Sequence, residues 1–294
     1  MIPQIAFDLL DTTQINRNWI GLGGGVEGHI FDGHDFLLDD CFDKIERSLK
    51  MVKSLNNPKL TLHFPTSNAS YISNENMLAN LLKLIDIAIK HEVKILTLHS
   101  NDFVKINDFN NYDIYRSRSN FITFFDRLDA DLRGSDICIA VENMPIIGNK
   151  ADEFDSIFVM PDSFQDFNKF SNIKITFDIC HWLITYYTLK SISIVRKEPF
   201  TLDVMEFLNI QQIIHFHFGS FKNLVIPYSG GICMEGVKPC EGVPAEFVLA
   251  EIIKAIDQKY SNSTGIVFEV VEKCYKERIN AFKTLEWFKS VLGG

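Results

Sequence analysis

Ile173-Lys174-Ile175-Thr176-Phe177-Asp178-Ile179-Cys180-His181-Trp182 is an apolar, β-branched run that stops on an Asp and, three residues later, a His. A strand buried on both faces of a parallel sheet reads as such a near-continuous apolar run. α/β barrels and open α/β sheets keep their ligand-binding side chains at the C-terminal tips of strands of this kind. Asp178 and His181 therefore read as site residues at the end of a buried parallel strand.

The same pattern recurs on both sides of it. Ile5 to Leu9, Val26 to Phe31, Lys59 to Phe64, Val93 to Leu98, Asp136 to Val141, Gln211 to Phe216 and Gly265 to Phe268 are the other strand candidates. Between them apolar residues fall at helical spacing: Phe42, Ile45, Leu49 and Val52; then Leu78, Leu81, Leu82, Ile85 and Ala88 within Asn74 to His91; then Phe121, Phe124, Phe125, Leu128 and Leu132. Further helices are expected over Ser163 to Phe170, Leu202 to Leu208 and Ala245 to Ile256, and in a closing segment with Phe282, Leu285, Trp287 and Phe288. Gly21-Leu22-Gly23-Gly24-Gly25 opens no helix, so it reads as a connection rather than a phosphate cradle. Eight strands alternating with helices predict an α/β fold, a (β/α)8 TIM barrel forming a single domain over residues 1–294. A doubly wound sheet is the alternative. The barrel is preferred because polar residues end at least six of the strands, and they converge on one mouth only if the strands close into a ring.

Composition agrees with a barrel-sized globular chain: 294 residues, 46% hydrophobic and 23% charged, with a net charge of -9. That acidity argues against nucleic acid as a partner, because a broad phosphate-binding surface needs Lys and Arg to displace counterions. The six cysteines (Cys41, Cys138, Cys180, Cys233, Cys240 and Cys274) form no C-x-x-C pair and read as reduced thiols. With no basic leader and no apolar run of roughly 18 residues, the reading expects a cytoplasmic protein without a membrane span. A homo-oligomer stays open.

The strand ends carry the chemistry. A single buried His at a strand end is more often a hydrogen-bonded structural residue than a ligand, which is the plain reading of His63 or His99 taken alone. Glu142, Asp178 and Glu269 are different, since desolvating an unpaired carboxylate is expensive and no Lys or Arg lies near them in sequence. Acids and imidazoles at one mouth favour a divalent metal over a purely structural network. His215 and His217 sit two apart and share one strand face; His217, nearer the mouth, is the favoured ligand, and His215 either braces it or takes its place. His29 and His34 read as residues of a loop-like region, and His91 as the end of a helix.

In order, Glu142 within Val-Glu-Asn, Asp178-x-x-His181, His215-Phe-His217 and Glu269 resemble the xylose-isomerase-like TIM-barrel superfamily over nearly the whole chain. Its members include ketose 3-epimerases, sugar-phosphate isomerases and the endonuclease IV group. The epimerase branch implies one divalent ion, Mn or Zn with Mg or Co as alternatives, held by Glu142, Asp178, His217 and Glu269. It also implies a carbohydrate substrate, an enediolate intermediate, Glu142 and Glu269 as the proton-transferring pair, and His181 on a substrate hydroxyl. Where that branch has an Arg beyond the seventh strand, this chain has Lys222 and Asn223, which leaves Lys222 as the substrate-binding candidate there.

The endonuclease IV branch matches at His63 and His99, which become ligands of a second metal bridged by Glu142, and otherwise substrate-binding residues. Its third metal takes an Asp-x-His pair shortly before Gly-Glu-Gly; here Cys240-Glu241-Gly242 follows Met234, Glu235 and Gly236, so the pair is absent. Hydrolysis of abasic DNA is accordingly the second reading, and a barrel that binds a ligand without catalysis the third. The loop from Gly219 to Gly242 is expected over the mouth, with Phe218, Phe221 and Tyr228 as its walls.

Overall fold

The apolar runs become eight parallel strands in a ring: β1 (Ile2–Asp8), β2 (Gly25–His29), β3 (Lys59–His63), β4 (Ile95–Leu98), β5 (Cys138–Glu142), β6 (Ile173–Asp178), β7 (Ile213–Phe218) and β8 (Gly265–Phe268). Each strand pairs with its neighbours in sequence, and β8 closes onto β1 with Ile2 opposite Gly265 and Ile5 opposite Phe268. The computed structural model describes residues 1–15, 24–55, 59–147, 153–155, 157–224, 233–260 and 262–293. Residues 21–23 of the glycine-rich stretch and Tyr228 lie outside them. No helix among the described residues is long and apolar enough to cross a membrane.

Side chains alternate across a strand, so every strand has an outer and an axial set. Outward go Ile5, Phe7, Val26, Leu62, Leu96, Ile139, Ile175, Phe177, Phe216 and Ile266, at most 1% exposed, into the layer beneath the helices. Along the axis lie Gln4, Glu27, Thr61, Thr97, Thr176 and His215, all with no exposed surface. They satisfy one another: Gln4 Nε2 donates to Thr61 Oγ1 (2.9 Å), and Thr97 and Thr176 share a 3.0 Å hydrogen bond. A polar axis under an apolar shell lets charged residues stand at the mouth without a hydrophobic floor beneath them.

Helices form where their caps dictate. In α1 (Cys41–Lys53), Cys41, Ile45, Leu49 and Val52 are buried as one stripe. In α2 (Glu75–Lys90) Asn74 accepts hydrogen bonds from Asn76 N and Met77 N, and His91 ends the helix as the sequence indicates. α3 (Ile114–Asp131) starts seven residues before Phe121 and is capped by Asp113, whose side chain accepts from Arg116 N. The segment expected as a helix from Ser163 is a 3₁₀ helix, Pro161–Lys169. The larger correction is α4 (Ile179–Arg196), which begins at the end of β6 where only the shorter α5 (Val204–Leu208) is anticipated. Nine of its 18 residues are buried, so no clean apolar stripe marks it in the sequence. α6 (Glu246–Lys259) and α7 (Ile279–Leu292) complete the ring.

Five phenylalanines lock the 3₁₀ segment under α3. Phe167 packs edge-on against Phe158 (5.4 Å), Phe164 (5.2 Å) and Phe125 (5.9 Å), and Phe121 meets Phe158 at 5.9 Å. Phe167 has no exposed surface. Truncating it removes a large apolar group from a site where the ring neighbours cannot collapse. Phe167→Ala is expected to cost about 3–5 kcal/mol of unfolding free energy, read from urea denaturation with an unchanged m-value.

Candidate metal centre

Register assembles the centre. Asp178 pairs with His217, His217 with Val267 one residue before the end of β8, and His29 with His63, so tips far apart in sequence share one level of the barrel. His29 is thus the last residue of β2, not part of a loop. Asn143, next after Glu142, clamps β5 to β6: its Oδ1 accepts from Asp178 N (2.7 Å) and its Nδ2 donates to Asp178 O (3.0 Å). Asp178 itself caps α4, its Oδ1 accepting from His181 N at 2.5 Å. One strand end and one helix start therefore hold both residues of the Asp-x-x-His element.

Glu142, Asp178, His217 and Glu269 each offer a donor atom, all within 4.8 Å of one another. His217 Nδ1 lies 3.1 Å from Glu142 Oε2, 3.4 Å from Glu269 Oε1 and 4.0 Å from Asp178 Oδ2. A second group of three, His63, His99 and Glu142, meets the same limit, with His63 Nε2 and His99 Nε2 at 3.2 and 3.3 Å from Glu142 Oε2. His63 Nδ1 donates to Phe64 O (2.6 Å), which leaves Nε2 as the atom that faces Glu142. His181 Nδ1 donates to Asn143 O (2.8 Å), so its Nε2 looks toward Glu235 Oε2, 3.7 Å away.

Several of these buried atoms, among them Glu142 Oε1 and both ring nitrogens of His217, have close neighbours but no aligned hydrogen bond. Converging oxygen and imidazole atoms of which several are left without a hydrogen bond fit a divalent cation. The cluster fits such an ion better than it fits a self-satisfied polar network.

Charge at the centre is uneven. Burial opposes ionisation of Glu142, but the neighbouring imidazoles of His217, His99 and His181 win, holding its carboxyl well below the usual range. Burial raises Asp178. Burial likewise raises Glu269 to about 7, with the charges of Glu142 and Asp178 adding to it and His217 opposing. His217 is pushed up despite its burial, by Glu269, Glu142 and Glu27.

Glu27 and His29 are the residues the sequence reading misses. Glu27 has no exposed surface, and its carboxylate meets His29, His215 and His217 at 3.0, 2.9 and 3.0 Å. The signal present was alternation: Glu27 and His29 are two apart, like His215 and His217. A cavity of about 580 Å³ opens above the centre, lined by Phe31, Asp178, His181, Glu235, Glu269 and Tyr275 among others, a size suited to a small molecule. Phe218 and Phe221 do not line it. Phe218 stacks on Trp287 at 5.4 Å and Phe221 packs on Tyr187 at 6.0 Å, both fully buried. Lys222, on the strand Ser220–Lys222, is not in this lining and has Glu241 at 4.0 Å. The antiparallel partner strand, Met234–Val237, instead brings Glu235 to the cavity rim.

No protein-family model matches the chain, and no curated protein matches it in sequence. Solved structures do match. A D-tagatose 3-epimerase-like protein superposes with a TM-score of 0.65 at 18% identity, over 100% of this chain and 97% of its own. D-psicose 3-epimerase from Clostridium cellulolyticum H10, solved with D-tagatose, gives 0.62 at 12% identity over 100% and 97%. The IOLI protein, solved with a bound zinc atom, gives 0.59 at 11% identity over 98% and 96%.

Because Glu269 holds its proton up to about pH 7 and His217 holds one above the usual imidazole range, a cation must displace both. Zinc affinity is expected to fall about tenfold per released proton for each pH unit below about 7, and to fall less steeply above it, where Glu269 ionises unaided. Isothermal titration in buffers of different ionisation enthalpy reads the proton release. An affinity constant from about pH 5 to 8 would contradict this picture.

Proposed function

The chain has the fold of the xylose-isomerase-like TIM barrels, and from that premise we propose that it is a divalent-metal-dependent isomerase or epimerase acting on a sugar, keto-sugar or sugar phosphate through an enediolate. The observation that carries the reading is the convergence of Glu142, Asp178, His217 and Glu269 under a cavity of about 580 Å³. The known structures with this fold include sugar epimerases and a zinc-bound protein, which supports both the substrate class and the metal.

A divalent ion, Mn or Zn, held by Glu142, Asp178, His217 and Glu269 would supply polarisation of a carbonyl and its neighbouring hydroxyl. The chain's own residues do the rest. Glu142 and Glu269 stand at strand ends three apart on the ring, on β5 and β8, and exchange a proton with the substrate carbon between them. His181, locked through Nδ1 to Asn143 O, presents Nε2 at the cavity, where it and Glu235 hold a substrate hydroxyl. Phe31 and Tyr275 at the cavity wall offer apolar faces for a sugar ring.

A second reading, metal-dependent phosphodiester hydrolysis on abasic DNA, is favoured by one feature: Glu142 belongs to two candidate ligand groups, one with Asp178, His217 and Glu269 and one with His63 and His99, as a carboxylate shared by two ions would. The net charge of -9 weighs against it.

Glu142→Gln and Glu269→Gln are each expected to lower metal-dependent incorporation of solvent deuterium into a ketose by roughly 10²–10⁴-fold, followed by NMR over a panel of free and phosphorylated ketoses. Wild-type protein that exchanges no ketose, binds two ions per chain and nicks abasic duplex DNA with activity falling as salt rises would replace the isomerase reading with the hydrolase.

A further inference from the structure

Beneath the centre lies a carboxylate that the proposed chemistry does not use. Glu27 stands two residues below the tip of β2, level with Thr61 of β3, which is itself two residues below His63. Its oxygens are divided among four groups. Oε2 accepts from Thr61 Oγ1 (2.7 Å) and meets His215 Nε2 (2.9 Å); Oε1 lies 3.0 Å from both His29 Nε2 and His217 Nε2. Thr61 is held in turn by Gln4 Nε2 at 2.9 Å, whose amide also donates to Val26 O at 2.9 Å. The carboxylate is anchored from below and presents one oxygen upward.

We propose that Glu27 is the positioning residue of the metal centre, fixing the ring orientation and tautomer of His217 so that Nδ1 is the atom offered to the cation. The inference rests on the functional reading above only in requiring that Glu142, Asp178, His217 and Glu269 bind a divalent ion. An imidazole has two nitrogens and, when neutral, one lone pair. On His217 the Nδ1 edge faces the three acids at 3.1–4.0 Å, and the Nε2 edge faces Glu27. With a cation on the Nδ1 side displacing the proton there, the carboxylate beside Nε2 holds the remaining proton on that nitrogen, and the Nδ1 lone pair goes to the cation. With glutamine at this position the amide accepts less strongly and its NH₂ can turn to the ring, so both ring orientations become comparable.

Glu27 also satisfies the distance limit for a ligand, in groups with His215 and His217 and with His29 and Glu269. Two facts favour positioning over ligation. It sits a layer deeper than Asp178 and Glu142, and Oε2 is already committed to Thr61 and His215. The charge is costly to bury, and a group kept at that cost with its donors aimed at a ligand histidine is placed to orient it.

The test uses zinc alone and no substrate. Chelator competition is expected to show Glu27→Gln binding zinc roughly 10–100-fold more weakly than wild type, with the circular dichroism and thermal melting of the metal-free proteins alike. Long-range ¹H–¹⁵N correlation spectra of zinc-loaded wild type are expected to show His217 coordinated through Nδ1 with Nε2 protonated, and these decide the matter even if the variant does not fold. Equal zinc affinity in the two proteins overturns the proposal while leaving the metal reading intact. Coordination of His217 through Nε2 overturns it too, and makes Glu27 a ligand if the variant also loses zinc entirely. Wild type that binds no zinc overturns both.

Discussion

The carboxylate of Glu142 has no exposed surface, and four imidazoles reach it: those of His63, His99 and His217 on Oε2 and that of His181 on Oε1, at 3.1–3.3 Å. Asp178 and Glu269 stand close by. Such a concentration of buried acid is tolerable only where imidazoles or a cation offset it. The four rings arrive from β3, from the segment just after β4, from the start of α4 and from β7, so the arrangement exists only because the sheet closes on itself. An open sheet would leave those groups on different edges.

Closure has a second consequence. In a ring of parallel strands, in-register neighbours point to the same side, and the axis receives alternate residues from every strand. Here that axial layer is polar, running from Gln4 and Thr61 through Glu27 to the histidines. The usual filling of a barrel by branched apolar side chains is displaced outward, beneath the helices. The polar column supplies hydrogen-bonding partners to the underside of the mouth, and the apolar work of holding the barrel together passes to the outer shell and to clusters such as the phenylalanines around Phe167.

Asn143 shows how backbone and side chain cooperate in this. By pairing both polar groups of its amide with the backbone of Asp178 it sets the spacing of β5 and β6 at their tips, and its own carbonyl holds the ring of His181. The residue after Glu142 thus positions the Asp on the next strand and the His at the next helix start. That gives Val-Glu-Asn a structural reason beyond the carboxylate it contains.

Periodicity and strand-end chemistry by themselves determined the barrel, the eight strand positions to within a few residues, and the mutual nearness of Glu142, Asp178, His217, Glu269, His63 and His99. These follow from local signals: a buried parallel strand must be apolar, and a polar residue that ends it must face the mouth. Other features depended on tertiary structure. α4 carries no single apolar stripe because it is buried on more than one side, so its pattern does not announce a helix. Glu27 sits inside a weak strand between Val26 and Gly28, where an acid ordinarily signals solvent. Lys222 lies on the chain where a substrate-binding cation was anticipated, yet its strand pairs so as to bring Glu235 to the cavity rim instead. In each case the deciding contact joins residues far apart in the chain, and the pairing of Glu27 with His215 and His217, across 188 residues in the first instance, is legible only once the ring has closed.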